Sequence, residues 1–442
     1  MSHEPLTGKI LHSQGEALMG ILAEVRNAVN LGKPADATLS AFYRSHRQFG
    51  SRDRRLFSDT VFSFFRWKGW LELMFPDNPR AAAVFAHLLD AKECHPAIRH
   101  LAGTSNIPAE ALRPLGALPI KEKPLVLSRQ ISAFLPGLTP PSILQLVPAW
   151  FADVLPPPGR NPAADALDEL IASFQIPPPT WVRLRPSSGL DLPVLFSQSG
   201  IEVTRHPRIP NAAAVARGSN LQGLAPRFRS GLEIQDLASQ AVGCICEATA
   251  GQSWWDACAG SGGKTLHLAD RVGPSGRVLA TDIRPSVLEE LARRAETDNL
   301  QKEIRIKVWD GASHPPPPGS FDGVLLDAPC SGIGTWHRNP DARWRCTRES
   351  ISALAALQLR LLQACALRVR PGGRLVYTTC TMTREENQGV VEAFLSAQPG
   401  FRLDPFPDPL RDGETPGILT IHPWDGPCNG MFIARLLRID NP

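Results

Sequence analysis

The sequence predicts a multidomain protein. An all-helical N-terminal domain spans residues 1–135, a helical linker with a small α+β module spans 136–230, and an α/β domain with a doubly wound sheet spans 231–442. Three observations predict this. After about residue 231 apolar strand-like runs alternate with amphipathic helical segments, the rhythm of a mostly parallel sheet covered by helices. Before residue 135 apolar residues recur at helical spacing instead. A chain of 442 residues is also too long for one ordinary core.

In the helical region, "GEALMGILAEVRNAV" and "DTVFSFFRWKGWLELMF" carry the periodicity. Between them Arg44, Arg47, Arg52, Arg54 and Arg55 crowd together around Asp53. Such a run is either a solvated face in which Asp53 pairs with its neighbours or a contact for nucleic acid. Proline then punctuates the chain: "LPPPGRNP" (155–162) and "IPPPTW" (176–181) flank the helix-like "AADALDELIASF", so this stretch reads as helical pieces joined by stiff connectors. From residue 180 to 231 short strands and turns take over. Arg183, Arg185, Arg205, Arg208, Arg217, Arg227 and Arg229 occur there with few acids, which predicts a basic face.

Bulk composition narrows the classes. Hydrophobic residues make up 43% and charged residues 20%, as in a soluble globular protein. A net charge of +4 permits an anionic partner without requiring one. No apolar run approaches the roughly 18 residues needed to cross a bilayer, so no membrane association is expected. The start "MSHEPLTGKILHSQGEALMGILAEV" lacks a basic region leading into an apolar one, so no targeting signal is expected. Nine scattered cysteines do not form a disulfide framework. No CxxC pair exists, and Cys244 and Cys246 are too close for a zinc knuckle. No metal site is expected, and a reducing cytoplasm fits. Cys94, Cys244, Cys246, Cys346, Cys365 and Cys428 are assigned to packing or surface.

In the α/β domain Asp256, Asp282, Asp310 and Asp327 each close one strand-like run, as does Cys380. Ligands of such sheets bind beyond the carboxyl ends of the strands, so four carboxylates and a thiol share one rim. A lone Asp there is usually a turn or helix-cap residue; four at successive strand ends point to a ligand. The turn "DACAGSGGKT" supplies glycines that let backbone approach that ligand, ahead of a helix N-terminus. A Walker loop would need glycine at Cys258, and a dinucleotide fingerprint would need Gly or Ala at Thr265. Both fail. An adenosyl ligand without pyrophosphate remains: Asp282 would accept from ribose hydroxyls, Asp310 would reach an adenine amino group, and the acids would stabilise the sulfonium of S-adenosylmethionine.

Two thiols lie on that rim. "VLLDAPCSGIG" (324–334) ends a strand at Asp327 and Cys330, and "VYTTCT" (376–381) delivers Cys380 from a second strand. Cys330 alone reads equally as a small buried residue, with Asp327 capping a turn. Together with a methyl donor the set suits a carbon that is a poor nucleophile, such as C5 of cytosine. A thiolate adding to C6 moves electron density to C5, Asp327 is placed to protonate N3, and a base must then remove the C5 proton.

"DACAGSGGKT", "DAPCSGIGTWHRNPDARW" and "YTTCT" together resemble the RNA cytosine-C5 methyltransferases of the NOL/NOP/Sun family. The resemblance implies that Cys380 is the nucleophile, that Cys330 assists breakdown of the covalent adduct, and that Asp327 polarises the base. It implies that Cys258, Ala259, Gly260, Ser261, Gly262, Gly263, Lys264, Asp282, Asp310 and Asp327 hold S-adenosylmethionine. "SGLEIQDLASQ" (230–240) is similar to the entrance of the family's Rossmann-like catalytic domain, and the stretch before it to the family's small RNA-recognition-like module. "FGSRDRRLFSDTVFSFFR" (49–66) resembles the NusB-like helical domain attached to the family's bacterial 16S rRNA methyltransferase, and "GMFIARLLR" (430–438) its closing strand. Thr381 stands where the family usually has Ser, Trp254 and Trp255 are bulky for a first strand, and the run Pro315–Pro318 is unusual. His337, Arg338 and Arg343 are candidate RNA contacts.

The expected substrate is a cytosine in ribosomal RNA, in a loop or bulge where it can leave its stack. The chain is expected to act as a monomer, its basic regions gripping RNA more weakly as salt rises. A tRNA substrate is the alternative within the same chemistry. A non-catalytic RNA-binding assembly factor is the alternative outside it, but would need neither the cofactor acids nor both cysteines.

Overall fold

A computed structural model describes residues 8–132, 134–137, 139–155, 163–185, 231–311 and 314–439, with 196, 200–216, 218, 219, 221 and 224. The chain divides into two compact units.

The first unit comprises Met1–Asp153, Pro157–Pro177 and Trp336–Thr347. Its helices run Gly8–Asn30, Ala35–Ser45, Ser51–Met74, Pro79–Asp90, Pro96–Gly103, Lys123–Ile131 and Ala163–Ser173. The first buries Leu18, Ile21, Leu22, Val25 and Val29, one stripe at spacings of three and four. The third buries Phe57, Phe64, Phe65, Trp67 and Trp70, each worth about 1.5–3 kcal/mol of burial. Proline at the first position with a side-chain cap starts two of the helices: Asn78 accepts from the Ala81 N–H at 3.0 Å, and His95 from the Ala97 N–H at 3.2 Å. Asp53 does not serve the neighbouring arginines as the sequence allowed. Its carboxylate accepts from Gln14 Nε2 at 2.7 Å and from the Gly50 N–H at 3.2 Å, at the start of the third helix.

The segment Trp336–Thr347, which follows the proline–cysteine motif, belongs to this helical unit. Trp336 packs on Phe151 and Phe174 with ring centroids 5.3 and 5.4 Å apart. Arg343 Nη1 donates to the Leu146 carbonyl at 2.6 Å, and Trp344 Nε1 to that of Phe65 at 2.7 Å. Arg343 and His337 are buried, at 0% and 1% exposure. Both are therefore corrected from candidate RNA contacts to interior residues, because the segment is a packing element of the helical core.

The second unit comprises Val154–Pro156, Pro178–Thr335 and Arg348–Pro442. It holds a small antiparallel sheet of β1 (Thr180–Leu184), β2 (Val203–Arg205), β3 (Ala212–Val215) and β4 (Leu232–Ile234), ordered β2-β3-β1-β4. Arg183 and Arg185, expected on a basic face, are 2% and 3% exposed. They converge on Asp270 of the helix Gly263–Val272, with N–O distances of 2.6 Å each, and Arg185 also meets Asp298 at 2.6 Å. Only Arg205 and Arg208 of the described arginines in that stretch face solvent; Arg217, Arg227 and Arg229 lie outside the described residues.

The large sheet contains β5 (Ser253–Asp256), β6 (Arg277–Asp282), β7 (Ile304–Val308), β8 (Phe321–Asp327), β9 (Val369–Thr379), β10 (Phe401–Leu403), β13 (Ile418–Ile421) and β14 (Met431–Arg438). A separate pair, β11 (Phe406–Pro407) and β12 (Glu414–Thr415), lies between β10 and β13 in the chain. The order is β10-β14-β9-β8-β5-β6-β7, with β13 on β14; β5 to β9 are parallel, and β14 is antiparallel to β9. The chain moves outward from β5 through β6 to β7, then returns to β8 on the other side of β5. That reversal opens a crevice beyond the carboxyl ends of β5 and β8. Trp254 fits the first strand because Gly323 of β8 faces it: a Cβ there would sit 2.3 Å from the indole.

Candidate active site

Asp256 ends β5 fully buried, and Thr265 Oγ1 donates to it at 2.7 Å. Burial pushes its carboxyl up to about 7, although the threonine bond works the other way. Its Oδ1 has no hydrogen-bond partner among the described residues. The turn that follows is pinned to both neighbouring strands, by Ala257 N–H to the Leu325 carbonyl and Ala259 N–H to that of Thr281, each at 2.8 Å. It then passes through Gly260 and Gly262 at φ +54° and +94°, the left-handed region natural to glycine. A Cβ at Gly262 would also lie 2.2 Å from Leu291 Cδ1. This turn opens the helix Gly263–Val272, whose first two residues line the crevice.

Asp282 ends β6 and accepts from the Gly260 N–H at 2.9 Å and from the Arg284 N–H and Nε at 2.9 Å each. Burial would raise its carboxyl, but these bonds outweigh it and hold the group below the usual carboxylate range. Asp310 lies two residues beyond the end of β7 and accepts from His314, N–H at 3.1 Å and Nδ1 at 2.9 Å. Asp327 ends β8 and meets Lys264 Nζ at 2.6 Å. Burial would lower the lysine, yet Asp327 and the sulfur of Cys380 hold it above its ordinary value.

The sulfurs of Cys330 and Cys380 lie 3.3 Å apart. Cys380 follows the last residue of β9. The Cys330 thiol is pushed well up, first by its hydrogen bond to Cys380, then by burial and by the negative charges of Cys380, Glu386 and Asp327. Two adjacent thiols cannot both ionise cheaply, so Cys330 is the partner that keeps its proton.

A cavity of about 730 Å³ joins these groups. Asp256, Cys258, Ala259, Gly260, Ser261, Gly263, Lys264, Asp282, Asp310, Asp327 and Cys330 all line it. Gly262 and Cys380 are not among the lining residues: Gly262 lies within the turn, and the Cys380 sulfur lies against that of Cys330. Sequence reasoning missed other lining residues. Gln235, Asp236 and Ser239 come from the start of the helix Leu237–Ile245, Arg284 and Trp309 from loops, and Leu357 and Leu361 from the helix Arg348–Ala366. The pairing of Asp282 with Arg284 two residues on was the available signal. The apolar wall from Leu357 and Leu361 had none, because only tertiary packing brings that helix to the rim.

The sheet order and this acid-lined crevice define a class: a Rossmann-like methyltransferase domain of the kind that uses S-adenosylmethionine. Residues 244–437 match the family model described as 16S rRNA methyltransferase RsmB/F. Among curated relatives, a probable ribosomal RNA small subunit methyltransferase B from Synechocystis sp. is 35% identical over 282 residues, 61% of this chain and 63% of the relative. The ribosomal RNA small subunit methyltransferase B of Vibrio cholerae is 31% identical over 299 residues, 66% and 65%. The chain thus matches somewhat under two thirds of the length of either relative. Among solved structures, PH0851 shares the fold at a TM-score of 0.73 and 23% identity, over 95% of this chain and 98% of that one. NSun6 from Pyrococcus horikoshii with SFG shares it at 0.55 and 17%, over 63% and 95%.

Proposed function

We propose that this chain methylates C5 of a cytosine in RNA, specifically 16S ribosomal RNA, through a covalent bond between Cys380 and C6 of the base. One observation carries the reading: two thiols 3.3 Å apart, one of them, Cys330, on the wall of an acid-lined cavity. The family description and the relatives' names support RNA of the small ribosomal subunit as substrate.

The residues fit S-adenosylmethionine. Asp256 lines the cavity and has a buried carboxyl oxygen without a partner among the described residues, and Asp282 and Asp327 add negative charge suited to a cation. Asp282 and Asp310 would hold the adenosyl hydroxyls and amino group, and the turn Cys258–Lys264 would cradle the rest. When bound, this cofactor supplies an electrophilic methyl group and a neutral leaving thioether.

Cys380 attacks C6 of cytosine as the thiolate, forming a C–S bond and shifting the C5–C6 electron pair toward C5. Lys264, held as the ammonium against the Asp327 carboxylate, supplies the proton that Asp327 relays toward N3 of the base. Bond formation spends the Cys380 charge that had helped keep the proton on Cys330, so Cys330 can release that proton to solvent. After C5 has gained its methyl group, the Cys330 thiolate takes the C5 proton, the C5–C6 double bond re-forms, and the C6–S bond breaks to return the Cys380 thiolate. The helical unit we read as a NusB-like RNA-binding module.

Cys380→Ala should bind S-adenosylmethionine with wild-type affinity and transfer no labelled methyl group. Cys330→Ala should accumulate a protein–RNA adduct that survives a denaturing gel. Methylation by the first variant at the wild-type rate would sink the nucleophile assignment, and a gel without a shifted band for the second would sink the release role.

A further inference from the structure

We propose that Glu386 is a positioning residue for the two thiols: its buried carboxylate ties the Cys330 loop to the segment after Cys380 and so fixes the sulfur pair. This rests on the roles given to those thiols above. Residues 328–332 have no regular structure of their own, so their place must come from bonds made elsewhere. Glu386 is fully buried and is not among the residues lining the cavity. Its Oε1 accepts from the Ser331 N–H at 2.8 Å and from Gln358 Nε2 at 3.0 Å. Its Oε2 accepts from the hydroxyls of Ser331 at 2.5 Å and Thr383 at 3.0 Å. Ser331 is next to Cys330, and its hydroxyl is also 2.6 Å from that of Thr381, next to Cys380. One carboxylate therefore gathers the chain on the far side of both sulfurs.

The surroundings fix the carboxylate in turn. Gln358 also donates to the Pro329 carbonyl at 2.9 Å, and the Tyr377 hydroxyl reaches Gln358 Oε1 at 3.1 Å and the Glu386 carbonyl at 2.5 Å. Charge follows the same geometry. Glu386, Asp327 and the Cys380 sulfur are the negative groups acting on Cys330, Tyr377 is its neighbouring phenol, and the Lys264 cation acts on Cys380. The carboxylate on the Cys330 side, with the Cys380 sulfur beside it, leaves the proton on Cys330.

Iodoacetamide labelling followed by peptide mapping tests this without RNA, so it stands apart from the cytosine reading. In the wild type at neutral pH, Cys380 should be alkylated about tenfold faster than Cys330 or more, because the Cys330 thiol is held protonated by its hydrogen bond to Cys380, by burial and by the negative charges around it. In Glu386→Gln, with an acceptor lost and the charge gone, that ratio should collapse toward unity, and the Cys330 profile should shift to lower pH. Affinity for S-adenosylmethionine should stay within about twofold, since the residue lies outside the cavity wall. Ser331→Ala, which removes one hydroxyl bond and keeps the charge, should move the ratio the same way by less, and it serves as the deciding variant if Glu386→Gln does not fold. An unchanged ratio in both, or in Ser331→Ala where it alone folds, overturns the proposal.

Discussion

Asp256 combines full burial with a carboxyl pushed up to about 7 by loss of water, against 3.8 for an ordinary aspartate. Between those values the folded chain holds a proton that the unfolded chain has released. Stability from this group is therefore fully present below about pH 4 and is lost as pH climbs to about 7. Asp256→Asn should remove that loss while keeping the size of the side chain. The difference in unfolding free energy between variant and wild type should move in the variant's favour by on the order of 4 kcal/mol from pH 4 to pH 7. Urea titrations followed by tryptophan fluorescence would measure it, and a difference flat with pH would mean that the carboxylate is well solvated. The position of this residue was legible, because an acid closing an apolar run before a glycine turn marks a strand end. Its protonation was not, since that depends on how completely the neighbouring strands exclude water.

At the scale of elements, β1 and the helix Gly263–Val272 are joined by two buried guanidinium groups meeting one carboxylate. Arg183, Arg185 and Asp270 are each 4% exposed or less at the side chain. Removing one partner of such a group strands a buried charge, which costs about 3–5 kcal/mol. Asp270→Ala leaves Arg183 without a carboxylate, while Arg185 keeps Asp298, and should lower the unfolding free energy by about that range; a loss under about 1 kcal/mol would mean the site is wet. The same cluster marks where sequence reading stops. Within residues 180–231 the arginines outnumber the acids, which reads as a basic face. Their acid lies more than eighty residues downstream, with sequence separations of 87 and 85, and no window of composition reaches it. The parallel strands β5 to β8 were legible for the opposite reason: each is a short apolar run closed by its own local turn. The small sheet was legible as strands and not as a partner of the larger one.

At the scale of the molecule, 47 basic residues against 43 acidic ones give little hint of an RNA partner, because their distribution decides and not the sum. A group of arginines in the first unit faces water: Arg44, Arg47, Arg52 and Arg55 are exposed, whereas Arg54 lies over the Tyr43 ring at 5.4 Å and donates to the Phe49 carbonyl at 2.9 Å. Among the described residues only Arg55 of the four forms an ion pair, with Asp59 at 3.7 Å along its own helix. If the helical unit grips phosphate, neutralising Arg44, Arg47 and Arg52 together to Gln removes three contacts. Each contact contributes about 0.7 to 0.9 to the slope of log affinity against log salt. The triple variant should therefore bind a small-subunit RNA fragment more weakly at low salt, with a slope shallower by roughly two to three. Affinity for S-adenosylmethionine and the methyl-transfer rate at saturating RNA should stay at wild-type values, since none of the three residues lines the cavity. Filter binding across a salt series reads the slope directly. A slope equal to the wild type's would mean that these arginines form a solvated surface and that the RNA is held elsewhere on the chain.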